Sequence, residues 1–365
     1  MKKVEPKLFL AFLLIIGLLV AGCAGTGGSE QPATVPEDGG ESVSQVGGVS
    51  GPQVVRPPVQ KTQPEDKEPA PDTPVAAPAG KKVTFRIYGV TPDLMYQVPL
   101  TVEAAHPEDM PQQALKLLFA WPDESGATVS PWPGGVKLCS LKIKDGTALV
   151  DLTGFDAGSF GSSREALALD SLTLTLTQFD HIQRVQVLLD GQVVESLAGH
   201  VDISRPLTPP EHLNHFSFGA ASSSEPTLPL TLYFPEPNAM YLVPVTRDVP
   251  KTQSVARAVV EELIRGPEEN SGLGRSIPEG TRLLGIKLKD GLLTVDFSPE
   301  ISKNHWGGTA GEAITLGSIV HSLTALPGVD RVEILIAGQR GASIAGHVVL
   351  DQPSSGGELN LLPQF

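Results

Sequence analysis

LGIKLKDGLLTVDF, residues 284–297, reads as a β-hairpin. Leu284, Ile286 and Leu288 alternate with Lys287 and Lys289, Asp290-Gly291 supplies the two positive-φ positions of a type I′ turn, and Leu293, Val295 and Phe297 resume the alternation. One face of the hairpin is therefore apolar. The pattern is written twice, because Lys142, Lys144, Asp145, Gly146, Val150 and Asp151 precede Lys287, Lys289, Asp290, Gly291, Val295 and Asp296 by a constant offset.

Working outward, the repeat extends in both directions. Met95, Tyr96, Val98 and Pro99 recur as Met240, Tyr241, Val243 and Pro244, and Leu118 and Pro122 as Leu263 and Pro267. Downstream, with two residues inserted, Glu165-Ala166 recurs as Glu312-Ala313, Arg184-Val185 as Arg331-Val332, and Ala198-Gly199-His200-Val201 as Ala345-Gly346-His347-Val348. The folded part is thus two copies of one domain, 82–205 and 228–351, with a linker over 206–227 and a tail over 352–365.

Each copy opens with an alternating strand, Val83 to Val90 and Leu230 to Phe234. A helix follows, with Val255, Val259 and Leu263 on one face, Thr252 or Ser254 as N-cap, and Gly266-Pro267 as an αL exit; its counterpart runs from Pro111 to Ala120. Leu172 to Thr177 alternates like a strand, but Ala313, Leu316, Val320 and Leu323 in the second copy have helical spacing and Pro327-Gly328 a stop, which predicts helices over 165–179 and 312–326. Strands return at Arg184 to Leu189 and Arg331 to Ile336, with a short element near His200 and His347. The expected order is β-α-β-β-α-β, an α+β domain with both helices on one face of a small sheet.

The start of the chain has another purpose. Lys2, Lys3 and Lys7 precede an apolar run from Leu8 to Ala21, which ends in Ala21-Gly22-Cys23. At fourteen residues the run is short for a spanning helix and suits a signal core. Residues 1–22 read as a lipoprotein signal peptide, and Cys23 as the residue that takes a diacylglycerol. Residues 24–81 hold ten prolines, nine glycines and no aromatic residue, so they cannot bury enough surface to order themselves and form a disordered tether of about 40 Å on average.

The chain carries a formal charge of −14, and removal of residues 1–22 makes it −16, which repels a phosphate backbone and excludes nucleic acid. Two cysteines are too few for a disulfide scaffold, and Cys139, in a strand-forming stretch, reads as a buried small apolar residue.

The element order and residues resemble the GerM-type domain of sporulation and spore-germination lipoproteins. The second copy carries the resemblance in Leu232-Tyr233-Phe234, in Leu263-Ile264-Arg265-Gly266-Pro267, in Ile277-Pro278-Glu279-Gly280-Thr281, in the Asp290-Gly291 hairpin leading to Val295-Asp296-Phe297, and in Leu323-Thr324 through Pro327-Gly328-Val329. The first copy departs from it, with Trp121-Pro122 at the helix end and no counterpart of Ile277-Pro278. The resemblance implies a non-enzymatic envelope lipoprotein of a spore-former, built of small domains similar to the ring-building modules of secretion systems. It also implies a part in a channel-like complex between mother cell and forespore.

Residues able to do chemistry are sparse. His212 and His215 lack the further ligands that a zinc site needs. His200 and His347, and Asp151 and Asp296, are repeat-equivalent and read as structural hydrogen-bonding groups. No nucleophile elbow, H-E-x-x-H or Walker sequence occurs, so neither a cofactor nor a catalytic residue is expected. His305-Trp306-Gly307-Gly308 is a candidate partner contact through Trp306 and His305, the alternative being that Trp306 folds back over the following helix start. Trp132, in a loop of the first copy, has the same two readings.

The expectation is a lipid-anchored protein on the extracytoplasmic face of the cell membrane. It would act as a scaffold for envelope proteins through its sheet edges and its helix-free sheet faces. The alternative is a lipoprotein that binds a solute or cell-wall fragment between the two copies.

Overall fold

A computed structural model describes residues 83–104, 106–121, 123–156, 158, 160–215 and 226–362. The signal segment, Cys23 and the tether up to Lys81 lie outside the described residues.

The first copy runs β1 (Thr84–Val90), β2 (Gln97–Glu103), α1 (Met110–Ala120), β3 (Lys137–Lys144), β4 (Thr147–Thr153), α2 (Ser162–Thr177) and β5 (Arg184–Leu189). The second runs β6 (Thr227–Pro235), β7 (Leu242–Pro250), α3 (Val255–Arg265), β8 (Leu283–Lys289), β9 (Leu292–Phe297), a single turn α4 (Glu300–Lys303), α5 (Thr309–Thr324) and β10 (Arg331–Ile336). The α+β class and the tandem arrangement hold. The order gains one strand before the first helix of each copy, and the strands form two small sheets per copy where one was expected.

The added strands contain Pro99 and Pro244. A proline cannot donate to a ladder and is confined to outer strands. Here β2 pairs antiparallel with β1 (Tyr88↔Pro99) and β7 with β6 (Tyr233↔Pro244), and the outward-facing side of each carries the proline. In the larger sheets β3 pairs antiparallel with β4, and β4 pairs parallel with β5 across α2; β8, β9 and β10 repeat this. Both hairpin turns have positive φ at Asp and Gly, 49° and 71° at Asp145-Gly146 and 50° and 74° at Asp290-Gly291, as type I′ requires.

The period-2 pattern fixes which face is buried. Ala148, Val150 and Leu152 of β4, and Leu293, Val295 and Phe297 of β9, are buried, and each such large side chain contributes roughly 1.5–3 kcal/mol. α1 packs on β1 and β3, and α2 on β1 and β5. The strand-like Thr-Leu run lies in helix α2, as the second copy predicted, with Leu169, Leu172 and Leu176 buried. Its polar residues have partners. Ser171 donates to the Tyr88 carbonyl, and Gln178 accepts from Arg86 N–H and donates to the Arg86 carbonyl. In the second copy Ser318 donates to the Tyr233 carbonyl, and Tyr233 N–H donates to Ser322. The edges of β1 and β6 that no strand covers are thus satisfied by helix side chains.

Two local expectations change. Cys139 is exposed, because the β3–β4 register shifts between Leu138 and Ser140 and turns it outward; Leu284, at the equivalent shift in β8, is also exposed. Gly266 leaves α3 at φ 94°, ψ −177°, outside the αL region and in a conformation that only glycine adopts readily. Arg275 then bonds the Ile264 and Arg265 carbonyls, and Arg247 the Gly266 carbonyl, so side chains cap this helix end.

Candidate interaction surfaces

The outward edges of β2 and β7 face each other, and two asparagines join them. Asn214 accepts from Gln97 N–H at 2.7 Å and donates to the Gln97 and Pro244 carbonyls. Asn360 accepts from Leu242 N–H at 2.8 Å and donates to the Leu242 and Pro99 carbonyls. Gln97 and Leu242 are repeat equivalents, as are Pro99 and Pro244, so the two asparagines are related by the repeat with the copies exchanged. Flanking bonds follow the same rule: Thr246 binds the Leu213 carbonyl through its hydroxyl and Thr101 the Leu359 carbonyl. Each asparagine reaches both copies and satisfies the backbone that an edge strand would otherwise leave open. Tyr241 and Val243 of the second copy pack into the apolar core of the first.

Each copy also holds a fully buried glutamate in the first turn of its longest helix, α2 or α5. Glu165 accepts N–H bonds from Leu197, Ala198 and His200 at 2.9–3.0 Å. Glu312 accepts from Ile344, Ala345, His347 and Val348 and from the Ser343 hydroxyl. Burial alone would raise the Glu312 pKa, but these donors bring it below the ordinary glutamate value. The short element expected near His200 and His347 is in each copy a turn wrapped around a carboxylate. The backbone N–H groups of His200 and His347 serve structure; the His347 ring lies 3.4 Å from Glu312.

Asp151 and Asp296 accept from Gly191 and Gly338 N–H, the strand-end role read from the sequence. His215 pairs with Asp248 at 2.9 Å and stacks edge-on against His212. Among the described residues no group of three or more His, Cys, Asp and Glu is placed to hold a metal ion. Trp132 is buried, edge-on to Phe119.

Trp306 folds back over the helix start and stays half exposed. The ring lies over the first turn of α5, where a Cβ on Gly311 would come 2.5 Å from its Nε1, yet 52% of the residue remains exposed. His305 stacks on it at 4.6 Å. Gly307 N–H donates to His305 Nδ1, so Nε2 carries the proton and donates to Thr315, which donates to the Ser276 carbonyl. Burial lowers the His305 pKa, in keeping with this neutral tautomer. The indole is thus held in place with an open face.

A cleft between the copies has a volume of about 210 Å³ and is lined by Thr91, Asp93, Tyr96, Glu236, Asn238 and Leu273, among others. Small-molecule sites span roughly 300–1,000 Å³. Its carboxylates are engaged locally, Asp93 by Thr91 and Met95, Glu236 by Asn238 and Met240.

The sequence matches the Germane family, described as sporulation and spore germination, over residues 86–195 and 231–342. It is 28% identical over 358 residues to the spore germination protein GerM of Bacillus subtilis, with 93% of each chain covered. The fold is similar to the tandem GerMN domains of the sporulation protein GerM from the same organism, at 27% identity and a TM-score of 0.53, covering 71% of this chain and 92% of that one.

Proposed function

The chain belongs to the Germane family of sporulation and spore germination proteins, and on that premise we propose that it is a non-enzymatic, lipid-anchored scaffold on the extracytoplasmic face of the membrane. It binds envelope proteins of the channel-like complex between mother cell and forespore. The observation that carries this reading is where the reactive side chains are used: Glu165, Glu312, Asp151, Asp296, Asn214 and Asn360 are all engaged with backbone groups of the fold. Exposed apolar side chains remain on the outer strands, Ile143 of β3 and Leu284 and Leu288 of β8, and at Trp306, the kind of surface that takes a protein partner. Cys23 provides the lipid attachment, Trp306 a contact anchor, and His305 fixes its orientation. The small cleft between the copies, with its carboxylates already bonded, gives the solute-binding alternative little to build on. No helix among the described residues is long and apolar enough to cross a membrane.

Crosslinking in intact sporulating cells, followed by mass spectrometry, tests this reading by comparing the native protein with Cys23→Ala and Trp306→Ala. The expected result is crosslinks from both copies to septal channel proteins, reduced in each variant. A protein abundant at the membrane with no crosslinked protein partner would overturn it.

A further inference from the structure

One corner of the second copy is lined by smaller side chains than its counterpart in the first. β8 is the outer strand of the order β10-β9-β8, and among the described residues no strand pairs with its other side. Beside it a groove of about 380 Å³ lies between the start of α3, β8 and the turn after α5. Val255, Ile286, Leu288, Leu326 and Val329 form its apolar wall, and Leu288 is 51% exposed. In the first copy the equivalents of Val255, Leu326 and Val329 are the larger Met110, Phe179 and Ile182, and Phe179 and Ile182 are buried. At these three positions the first copy carries the larger side chains.

Charge selects the occupant. No carboxylate lines the groove; of its charged residues Arg257 pairs with Glu261 at 3.4 Å, and Lys287 is exposed, in a chain with 41 acids against 27 bases. Along β8, Ile286 and Leu288 sit opposite the core residues Val295 and Leu293, while Lys287 sits opposite Thr294 on the other face, which Lys289 shares. We infer that β8 and this groove bind an extended segment of a partner protein whose side chains alternate apolar and acidic. The segment adds a fourth strand, with apolar side chains in the groove and carboxylates over Lys287 and over Lys289, the latter in place of Asp290, which lies 3.9 Å from it. A second copy of this chain fits less well, since β8 and the equivalent outer strand β3, with Lys142 and Lys144, would bring lysines together on one face.

The inference rests on the protein-partner reading and can fail without it. Hydrogen exchange of the full-length chain is followed by mass spectrometry with a synthetic peptide alternating valine and glutamate, and with a control alternating valine and lysine. The first peptide is expected to slow exchange in residues 283–289 several-fold, and the control to leave it unchanged. Lys287→Glu, at an exposed position that leaves the fold intact, should weaken the peptide roughly five-fold or more, and Lys142→Glu in the first copy should not. Equal protection by both peptides, or none by either, overturns the inference. So does protection that grows with protein concentration alone, which would give the edge to a second copy. Should the peptide fail while crosslinks in cells persist, the scaffold stands and this site falls.

Discussion

The two copies fill the same space from opposite sides. In the first, Gly89 of β1 lies under the Trp121 ring, which comes from the end of α1 and occupies the volume that a Cβ on Gly89 would need. In the second, the equivalent of Gly89 is the fully buried Phe234, and the equivalent of Trp121 is Gly266. The surroundings follow the exchange. Arg247 sits over the Phe234 ring and pairs with Glu262 and Glu268, where the first copy has the apolar Val102 and Leu117 at the positions of Arg247 and Glu262. Packing constrains the summed volume of a pair and leaves open which member supplies it. Departures of the first copy from the second at single positions therefore describe a compensated interior, whereas Val255, Leu326 and Val329 beside β8 are all smaller than their equivalents Met110, Phe179 and Ile182.

The largest expected effect breaks that exchange. Phe234→Gly should cost about 4 kcal/mol or more, and Trp121→Gly about 3, read from chemical denaturation. Adding Gly89→Phe to Trp121→Gly should recover most of the loss, because the φ of Gly89 suits any residue. Adding Gly266→Trp to Phe234→Gly should recover none, since Gly266 has φ 94° and Arg275 lies 2.5 Å from where its Cβ would be. Equal rescue in both copies would mean that volume alone decides.

Next come the features that the copies share. Glu312→Ala and Glu165→Ala each orphan several buried N–H groups and should each cost about 3 kcal/mol. A large loss for one and none for the other would show that the matching geometry is not matched in energy. Asn214→Ala and Asn360→Ala each remove three hydrogen bonds from the join and should cost about 2 kcal/mol apiece. Since each asparagine reaches both copies, either substitution should also raise hydrogen exchange in β2 and β7 together.

The parts of this design that were legible in the sequence are those with a short period. The Asp-Gly hairpins are marked by alternation and turn chemistry, and α2 is legible only because its second copy shows helical spacing more clearly. Strands β2 and β7 are hidden in the sequence, for Pro99 and Pro244 argue against a strand unless its outer side is known to be free of ladder bonds. The join was hidden differently. Leu213-Asn214 and Leu359-Asn360 do recur, but in stretches whose Ser, Pro and Gly content reads as linker and tail. Glu165 and Glu312 were seen as repeated residues, yet a glutamate in a first helical turn ordinarily serves the helix dipole from the surface, and nothing local announces that it is buried. Cys139 faces outward because a bulge shifts the inside-outside phase by one residue, and no sequence pattern marks the bulge.

The smallest expected effect sharpens the comparison at a position that the copies do not share. Asp170 of α2 is partly buried, and burial pushes its carboxyl up to about 6, against 3.8 ordinarily; its equivalent in α5 is Gly317, which carries no charge. The folded state thus holds the Asp170 proton more tightly than the unfolded chain does. Stability from this group is complete below about pH 4 and is lost as the pH rises through 6, because the charge must then be kept in a poorly solvated place. Asp170→Asn should accordingly stabilise the protein by roughly 1–2 kcal/mol at pH 7 and by almost nothing at pH 3.5. Glu312 has the opposite sense: its lowered pKa adds stability above about pH 4.5 that is lost as the pH falls further. Denaturation curves of native protein and Asp170→Asn from pH 3.5 to 8 separate the two, since only the native protein should weaken between pH 4 and 7 on account of Asp170. An Asp170→Asn gain that is the same at every pH would mean that packing, and not the desolvated charge, distinguishes this position of α2 from Gly317 in α5.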